Sequence, residues 1–135
     1  MYTIRKIFKF ESAHILDSAY SKECTTIHGH NYKVEVFLST ETLNEDGMVI
    51  DFKELKEIIY PIFKNWDHKL IHSPLFALNA TNSIQVDFNP TAENMALYLH
   101  DEIVRKLAVK LAKQGGFKAK VRIHETDTGW AEYES

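Results

Sequence analysis

The sequence predicts an α+β fold with the element order β-β-α-α-β-β, in which an antiparallel sheet carries two helices on one face. Two observations lead to this prediction. Apolar residues alternate with polar ones near both ends of the chain, and between these regions they recur every three or four residues. Strands that come in pairs, rather than alternating with helices, indicate an α+β fold and not a βαβ fold. A length of 135 residues fits one domain, so residues 1–135 are predicted to form a single unit.

The first two strands are predicted over residues 2–14 and 30–39, where apolar side chains occupy every second position. The residues of this apolar set are Ile4, Phe8, Phe10, Tyr32, Val34, Val36 and Leu38. Residues 15–29 show no periodicity and are rich in small polar residues, so a loop is expected to join the two strands.

The first helix is predicted to begin at Asp51, because Glu54 follows three residues later as in a capping box. Its apolar face consists of Phe52, Leu55, Ile59, Ile62 and Trp66. Pro61 lies inside this pattern and is expected to kink the helix or to split it near Tyr60.

Residues 69–90 are predicted to be irregular, and the second helix follows from about residue 91 to residue 113. Asn89 is expected to cap this helix, with Pro90 in its first turn. Its apolar face consists of Met95, Leu99, Ile103, Leu107 and Leu111. The pair Gly115-Gly116 ends the helical pattern.

Two further strands are predicted over residues 118–124 and 129–134, joined by a turn. Four strands in an open sheet leave two edges that can pair with another chain. A homo-oligomer that closes several sheets into a barrel is therefore expected.

The composition excludes several classes of protein. Sixteen Lys and Arg residues against nineteen Asp and Glu residues give a net charge of −3, and no basic stripe indicates a nucleic-acid partner. No apolar run approaches the roughly 20 residues of a membrane-spanning helix. The single cysteine excludes a disulfide within the chain and favours a reducing, cytoplasmic setting.

Three histidines form the sharpest local signal in the sequence. His28 and His30 flank Gly29, and in an extended segment residues two apart point to the same face, about 6.5 Å apart. If the first two strands form a hairpin, His14 at the end of one meets this pair at the start of the other. Three imidazoles with an open fourth position are typical of a catalytic zinc site. The alternative is a core histidine beside ordinary polar strand residues.

Two other groups are candidates for chemistry. Cys24 lies four residues before His28 and is interpreted as a fourth ligand, a nucleophile, a general base or a small buried residue. Asp67 and His68 are adjacent at the end of the first helix. They form either a proton-relay pair or a helix-terminal cation beside a solvated acid.

Glu125 shares the parity of Val121 and Ile123, so its carboxylate is expected on the buried face of a strand. A buried carboxylate needs a partner, and two parallel N–H groups of a guanidinium-like edge suit it. Glu93 has a simpler interpretation as an acid that complements a helix dipole. The remaining histidines considered, which share no geometry, are interpreted as surface or structural residues: His72, His100 and His124.

Several short motifs stand out along the chain: Phe10-Glu11-Ser12-Ala13-His14, Cys24-Thr25-Thr26-Ile27-His28-Gly29-His30-Asn31-Tyr32, Gly47-Met48-Val49-Ile50-Asp51-Phe52, Asp67-His68-Lys69, Asn89-Pro90-Thr91-Ala92-Glu93-Asn94 and His124-Glu125-Thr126. Together they resemble the 6-pyruvoyltetrahydropterin synthase family over nearly the whole chain. The resemblance includes its bacterial branch, the 6-carboxytetrahydropterin synthases of queuosine biosynthesis.

The resemblance implies a tunnelling fold, in which subunits form a trimeric barrel and two trimers stack into a hexamer with active sites between subunits. It also implies roles for nine residues. They are His14, His28 and His30 as zinc ligands; Cys24, Asp67 and His68 as catalytic residues; and Glu125, Thr91 and Glu93 as substrate-binding residues, with Glu125 anchoring the pterin ring.

The activity implied by the bacterial branch converts 7,8-dihydroneopterin triphosphate into 6-carboxytetrahydropterin, acetaldehyde and triphosphate. This branch is favoured because the chain is short and the segments at Asp51-Phe52 and residues 89–93 look bacterial. The alternatives are triphosphate elimination to a 6-pyruvoyl product, or cleavage of the dihydroneopterin side chain for folate synthesis, for which Glu23 beside Cys24 is the signal. A non-enzymatic zinc-binding module is the alternative from a different class of protein.

One segment departs from the family pattern. After Asp67-His68-Lys69 the family usually continues Asn-Leu-Asn, whereas this chain reads Leu70-Ile71-His72. The departure is expected to shift the loop that holds the predicted relay pair.

Overall fold

The computed structural model describes residues 1–76, 78 and 82–135. The predicted irregular segment 69–90 includes residues 77 and 79–81, which lie outside the described residues. The elements in chain order are β1 (Tyr2–His14), β2 (His28–Thr40), α1 (Phe52–Lys64), β3 (Leu70–His72), β4 (Ser83–Gln85), α2 (Ala92–Leu111), β5 (Lys118–Thr126) and β6 (Gly129–Glu134). Within these residues no helix has the length and apolar character needed to cross a membrane.

The described strands form one sheet in the order β4-β3-β1-β2-β5-β6. The two predicted hairpins are present, and β2 pairs with β5 to join them; all three pairings are antiparallel. The sheet is nevertheless mixed, because β3 pairs in parallel with both β1 and β4. The α+β prediction is confirmed, and two strands are added where an irregular segment was expected.

The core lies on one face of the sheet, under both helices. The alternating residues predicted from the sequence supply it: Val34, Val36, Leu38, Val121 and Ile123 are fully buried. The apolar faces of α1 and α2 belong to the same cluster. Alternate strand residues bury one face of the sheet because successive side chains point to opposite sides.

Helix α1 begins as predicted, since the Asp51 carboxylate accepts hydrogen bonds from the amides of Lys53 and Glu54. Of the two predicted effects of Pro61, the split near Tyr60 is wrong, because α1 continues through Pro61 to Lys64. Pro61 is exposed, and the residues that follow it on the apolar face, Ile62, Phe63 and Trp66, are buried. Their packing offsets the roughly 3 kcal/mol that an internal proline costs.

Helix α2 is capped by Thr91 and not by Asn89. The Thr91 hydroxyl accepts a hydrogen bond from the Asn94 amide at 3.2 Å, so the helix starts at Ala92. Beyond a short 3-10 turn at its other end, Gly115 has a φ of 76°, a left-handed conformation that glycine adopts without strain.

Candidate metal centre and adjoining cleft

Three imidazoles meet where β1 ends and β2 begins. His14 lies directly opposite His28 in the antiparallel register, and His30 lies opposite Ser12. The rings are 4.4 Å apart between His14 and His28, and 5.1 Å from each of these to His30, measured between centroids. One nitrogen from each histidine lies within 4.8 Å of the other two. The hairpin therefore brings together the three predicted ligands.

Two backbone carbonyls determine which imidazole nitrogens carry protons. Nδ1 of His14 lies 2.8 Å from the Pro90 carbonyl oxygen, and Nδ1 of His28 lies 2.7 Å from the Thr26 carbonyl oxygen. A carbonyl only accepts hydrogen bonds, so each Nδ1 is the protonated donor, and in a neutral ring with this tautomer Nε2 keeps its lone pair. Hydrogen bonds of this kind orient histidine ligands toward a metal ion.

The remaining ring nitrogens fit a divalent metal ion. Nε2 of His14 and Nε2 of His30 are buried and have no hydrogen-bond partner among the residues that the structure describes. A buried acceptor without a partner is costly, and a metal ion that accepts its lone pair removes that cost. Three imidazole nitrogens suit Zn²⁺ and leave a coordination position for substrate. In the described part of the chain, Cys24 does not belong to this ligand group.

Burial favours the neutral form of His14 and His30, which is the form that binds metal. The pKa of His14 is lowered from 6.5 to about 4, chiefly because the ring is desolvated; the Pro90 hydrogen bond opposes this shift, and the neighbouring His28 and His30 add to it. Burial and the proximity of His28 also lower the pKa of His30. Charging either ring therefore costs free energy in the folded protein.

The His14 shift predicts how acid destabilises the metal-free protein. Its folded pKa of about 4 lies below the ordinary value of 6.5, so the unfolded chain binds the proton more tightly. The stabilisation is complete above pH 6.5 and is lost as the pH falls toward 4. We expect the free energy of unfolding to decrease by about 3 kcal/mol over this range, measured by urea denaturation at several pH values.

A His14→Asn variant is the control for this measurement, because groups such as Glu35 titrate identically in both proteins and cancel in the difference. The free energy of unfolding should depend less steeply on pH in the variant between pH 6.5 and 4. Parallel curves for the two proteins would contradict the assignment of the proton uptake to His14.

An open cleft of about 960 Å³ adjoins the triad. His30, Asp67, His68 and Glu125 are among the residues that line it. The structure thus brings predicted metal, relay and substrate-binding residues to one cavity.

The predicted relay pair is in contact. His68 Nδ1 lies 3.0 Å from an Asp67 carboxylate oxygen, and its Nε2 lies 3.7 Å from the Glu11 carboxylate. The Glu11 amide donates to the Asp67 carboxylate, and this bond and the neighbouring His68 lower the pKa of Asp67. His68 itself has a φ of 58°, a left-handed conformation that is uncommon outside glycine. The exposed imidazole of His68 is therefore held beside an ionised carboxylate.

Glu125 lies at the point where the pairing of β5 with β6 shifts register. One of its carboxylate oxygens is 3.6 Å from His30 Nε2. Burial raises the pKa of Glu125, and the charge of Glu93 contributes in the same direction while His28 opposes it. A ligand with two adjacent N–H groups would satisfy this half-buried carboxylate.

The other predicted site residues take different positions. Cys24 is partly buried in a 3-10 turn over Lys22–Thr25 and is not among the described residues that line the cleft. Thr91 serves as the cap of α2, and Glu93 lies in its first turn. Neither of these two lines the cleft in the described part of the chain.

The segment that departs from the family pattern forms strand β3. Leu70–His72 pairs with β1 beside the triad, with Ile71 opposite His14. His72 and His100 are buried, and His124 bonds to the buried Glu35 at 2.7 Å. These contacts agree with structural roles.

The sequence did not single out three further groups at the site. They are the carbonyls of Thr26 and Pro90, and the buried Tyr32 hydroxyl, which has no partner among the described residues. A carbonyl has no side-chain signature, and Tyr32 fits the apolar parity of β2, so only its proximity to His30 could have drawn attention to it.

Comparisons with known proteins give matches that cover most of the chain. A family model described as 6-pyruvoyl tetrahydropterin synthase matches residues 3–135. A protein named 6-carboxy-5,6,7,8-tetrahydropterin synthase from Helicobacter pylori strain J99 is 34% identical, over 96% of this chain and 70% of the relative. One of the same name from Aquifex aeolicus is 30% identical, over 98% and 97%.

Solved structures show the same fold. The 6-pyruvoyl tetrahydropterin synthase of Plasmodium vivax superposes with a TM-score of 0.78 at 20% identity, covering 100% of this chain and 99% of the other. The enzyme of the same name from Caenorhabditis elegans superposes with a TM-score of 0.72 at 25% identity, covering 99% and 95%.

Proposed function

Since the chain belongs to the 6-pyruvoyl tetrahydropterin synthase family, a family of enzymes, we propose that it is a zinc-dependent 6-carboxy-5,6,7,8-tetrahydropterin synthase. Its substrates would be 7,8-dihydroneopterin triphosphate and one water molecule, and its products 6-carboxytetrahydropterin, acetaldehyde and triphosphate. This reaction would place the protein in queuosine biosynthesis, in the cytoplasm.

One observation supports the proposal most strongly. A Glu125 carboxylate oxygen lies 3.6 Å from Nε2 of His30, which belongs to the three-histidine group. A pterin substrate fits this arrangement. The metal ion would act on its side chain while the carboxylate accepts hydrogen bonds from two N–H groups of its ring. The names of the Helicobacter and Aquifex relatives favour the 6-carboxy product over the 6-pyruvoyl product.

Each part of the site has a proposed task. His14, His28 and His30 would hold Zn²⁺, which when bound polarises substrate oxygens and acidifies the neighbouring C–H bond. Glu125 would orient the ring by accepting hydrogen bonds from the ring N–H and the 2-amino group. Hydrogen bonds to the charged form favour that form, so they oppose the raised pKa that burial imposes on Glu125.

Proton transfer is assigned to three further residues. Cys24, acting as a thiolate, would take a proton from the substrate side chain. His68, held by the Asp67 carboxylate at 3.0 Å, would pass protons between this thiol and the leaving groups. Thr91 and Glu93 would border the pterin pocket from the start of α2, where the charge of Glu93 acts on Glu125.

A homo-oligomer, trimeric or hexameric, is part of the proposal. Cys24 is not among the described residues that line the cleft, so a site shared between subunits would let one chain supply the thiol to the cleft of another. The sheet ends in β4 on one side and β6 on the other, and such edges can pair between chains. Sedimentation analysis tests this part, and a monomer that turns over substrate would contradict it.

A product assay tests the proposed activity. The zinc-loaded protein is incubated with 7,8-dihydroneopterin triphosphate, and the pterin product is identified by mass spectrometry. We expect a 6-carboxy product together with acetaldehyde. A 6-pyruvoyl product or a 6-hydroxymethyl product would contradict the proposed reaction, and the second would direct attention to Glu23, which is exposed beside Cys24.

A further inference from the structure

Two asparagines hold the loop that presents the Pro90 carbonyl to His14. The Asn94 side-chain amide donates to the Asn89 carbonyl oxygen at 2.9 Å. The Asn89 side-chain oxygen accepts from the amide of Asp17 at 2.9 Å. The loop is therefore tied to α2 at one end and to the segment directly after His14 at the other.

These bonds matter because Pro90 is the hydrogen-bond partner of a buried ring. His14 is 1% exposed, and its Nδ1 lies 2.8 Å from the Pro90 carbonyl oxygen. The Pro90 carbonyl is a backbone group, and the proline ring makes no hydrogen bond that could fix it. Its position therefore depends on the residues on either side. Asn89 precedes it, and Asn94 reaches back from the first turn of α2.

We propose that Asn89 and Asn94 are positioning residues of the metal centre, which keep the Pro90 carbonyl against His14 and so keep Nε2 of His14 free for the metal ion. The inference rests on the zinc site of the proposed function. Outer-shell partners of metal-bound histidines typically contribute about 10-fold to 100-fold in metal affinity, and we expect a loss of that size when either bond is removed.

The two asparagines have opposite hydrogen-bonding roles, so an aspartate substitution is expected to affect them differently. The Asn89 side chain accepts a hydrogen bond, so aspartate at this position retains the acceptor. The Asn94 side chain donates, and an ionised aspartate cannot donate. An acidic residue in the first turn of a helix also complements its dipole, so Asn94→Asp removes the donor without weakening α2 in the way a lost cap would.

The experiment measures the zinc dissociation constant of the full chain by competition with a chromophoric chelator. Asn94→Asp and Asn89→Ala should each weaken zinc binding about 10-fold to 100-fold, whereas Asn89→Asp should restore the affinity of the natural protein. The thermal midpoint of metal-free Asn94→Asp should stay close to that of the natural chain. In the same metal-free Asn94→Asp protein, nitrogen NMR should show that His14 has partly lost the tautomer protonated at Nδ1.

Asn44→Ala is the matched control, because Asn44 also holds loop backbone with its side chain, accepting from the amides of Asp46 and Met48 at 3.0 Å each. Its zinc affinity should equal that of the natural protein. The inference is overturned if the natural chain binds zinc and Asn94→Asp binds it equally tightly, or if Asn89→Asp fails to restore what Asn89→Ala loses. If the natural chain itself does not bind zinc, the proposed zinc site is wrong and this inference falls with it.

Discussion

A Cys24→Ala variant is expected to lose about a hundredfold to ten-thousandfold of its turnover, the range that a positioned acid or base contributes. Its zinc affinity should be unchanged, because Cys24 does not belong to the described ligand group of His14, His28 and His30. The measurements are steady-state kinetics with 7,8-dihydroneopterin triphosphate and metal content after dialysis.

Thr25→Ala is the matched control for this variant. Thr25 lies in the same short 3-10 turn, where its hydroxyl donates to the Lys22 carbonyl oxygen at 2.7 Å. Its loss disturbs the turn but keeps the thiol, so most of the turnover should remain. If Cys24→Ala retained full turnover, the proposed mechanism would be wrong; if it lost zinc, the thiol would be a fourth ligand, and the non-enzymatic zinc module would be favoured.

The second large effect concerns the triad itself, where His28→Ala should weaken zinc binding by a hundredfold or more. Structural zinc sites with four protein ligands bind with about 10–16 kcal/mol in total, so one protein ligand contributes roughly 3 kcal/mol, and turnover should fall in parallel with the loss of zinc. His28 is only partly buried, so its truncation leaves no large hole in the core. Chelator competition and metal analysis of the purified variant test this expectation.

His68→Ala provides the contrast to His28→Ala. His68 is an exposed imidazole on the same cleft, but it lies outside the triad. Its variant should lose turnover and keep zinc affinity. Equal zinc affinity in His28→Ala and the natural protein would show that the triad is not the metal site.

Much of the candidate site could be predicted because its three histidines follow a simple periodicity. His14 ends one alternating strand, and His28 and His30 begin the next, so a hairpin with the correct parity places all three on one face. The register in the structure, with His14 opposite His28, is the one that this reasoning requires. Glu125 could be predicted for the same reason, from its parity with Ile123.

Other features could not be predicted because their signals are short or distant in the chain. Strands β3 and β4 have three residues each, too few to show alternation. They pair in parallel with each other, and β3 also pairs with β1, which lies far earlier in the chain. The contact of Pro90 with His14 joins residues separated by 76 positions through a carbonyl that every residue possesses. Only the folded chain reveals such a partner.

Two local rules also competed with longer-range packing. Pro61 has the sequence signature of a helix break, yet the buried residues beyond it keep α1 intact to Lys64. Asn89 and Thr91 are both good caps. Thr91 takes that role while Asn89 binds Asp17, a choice that depends on tertiary contacts.

The hairpin origin of the triad has a consequence for the order in which the centre is assembled. All three proposed ligands come from β1 and β2, so they meet once residues 15–27 close a single local loop. We expect the Pro90 carbonyl to join them later, because it lies 76 positions from His14 in the chain and precedes α2. Pulsed amide exchange during refolding should therefore protect β1 and β2 before the start of α2, and equal protection times would contradict this order. During synthesis, the three imidazoles would therefore be able to meet zinc before the Pro90 carbonyl holds His14 in place, and before the second helix leaves the ribosome.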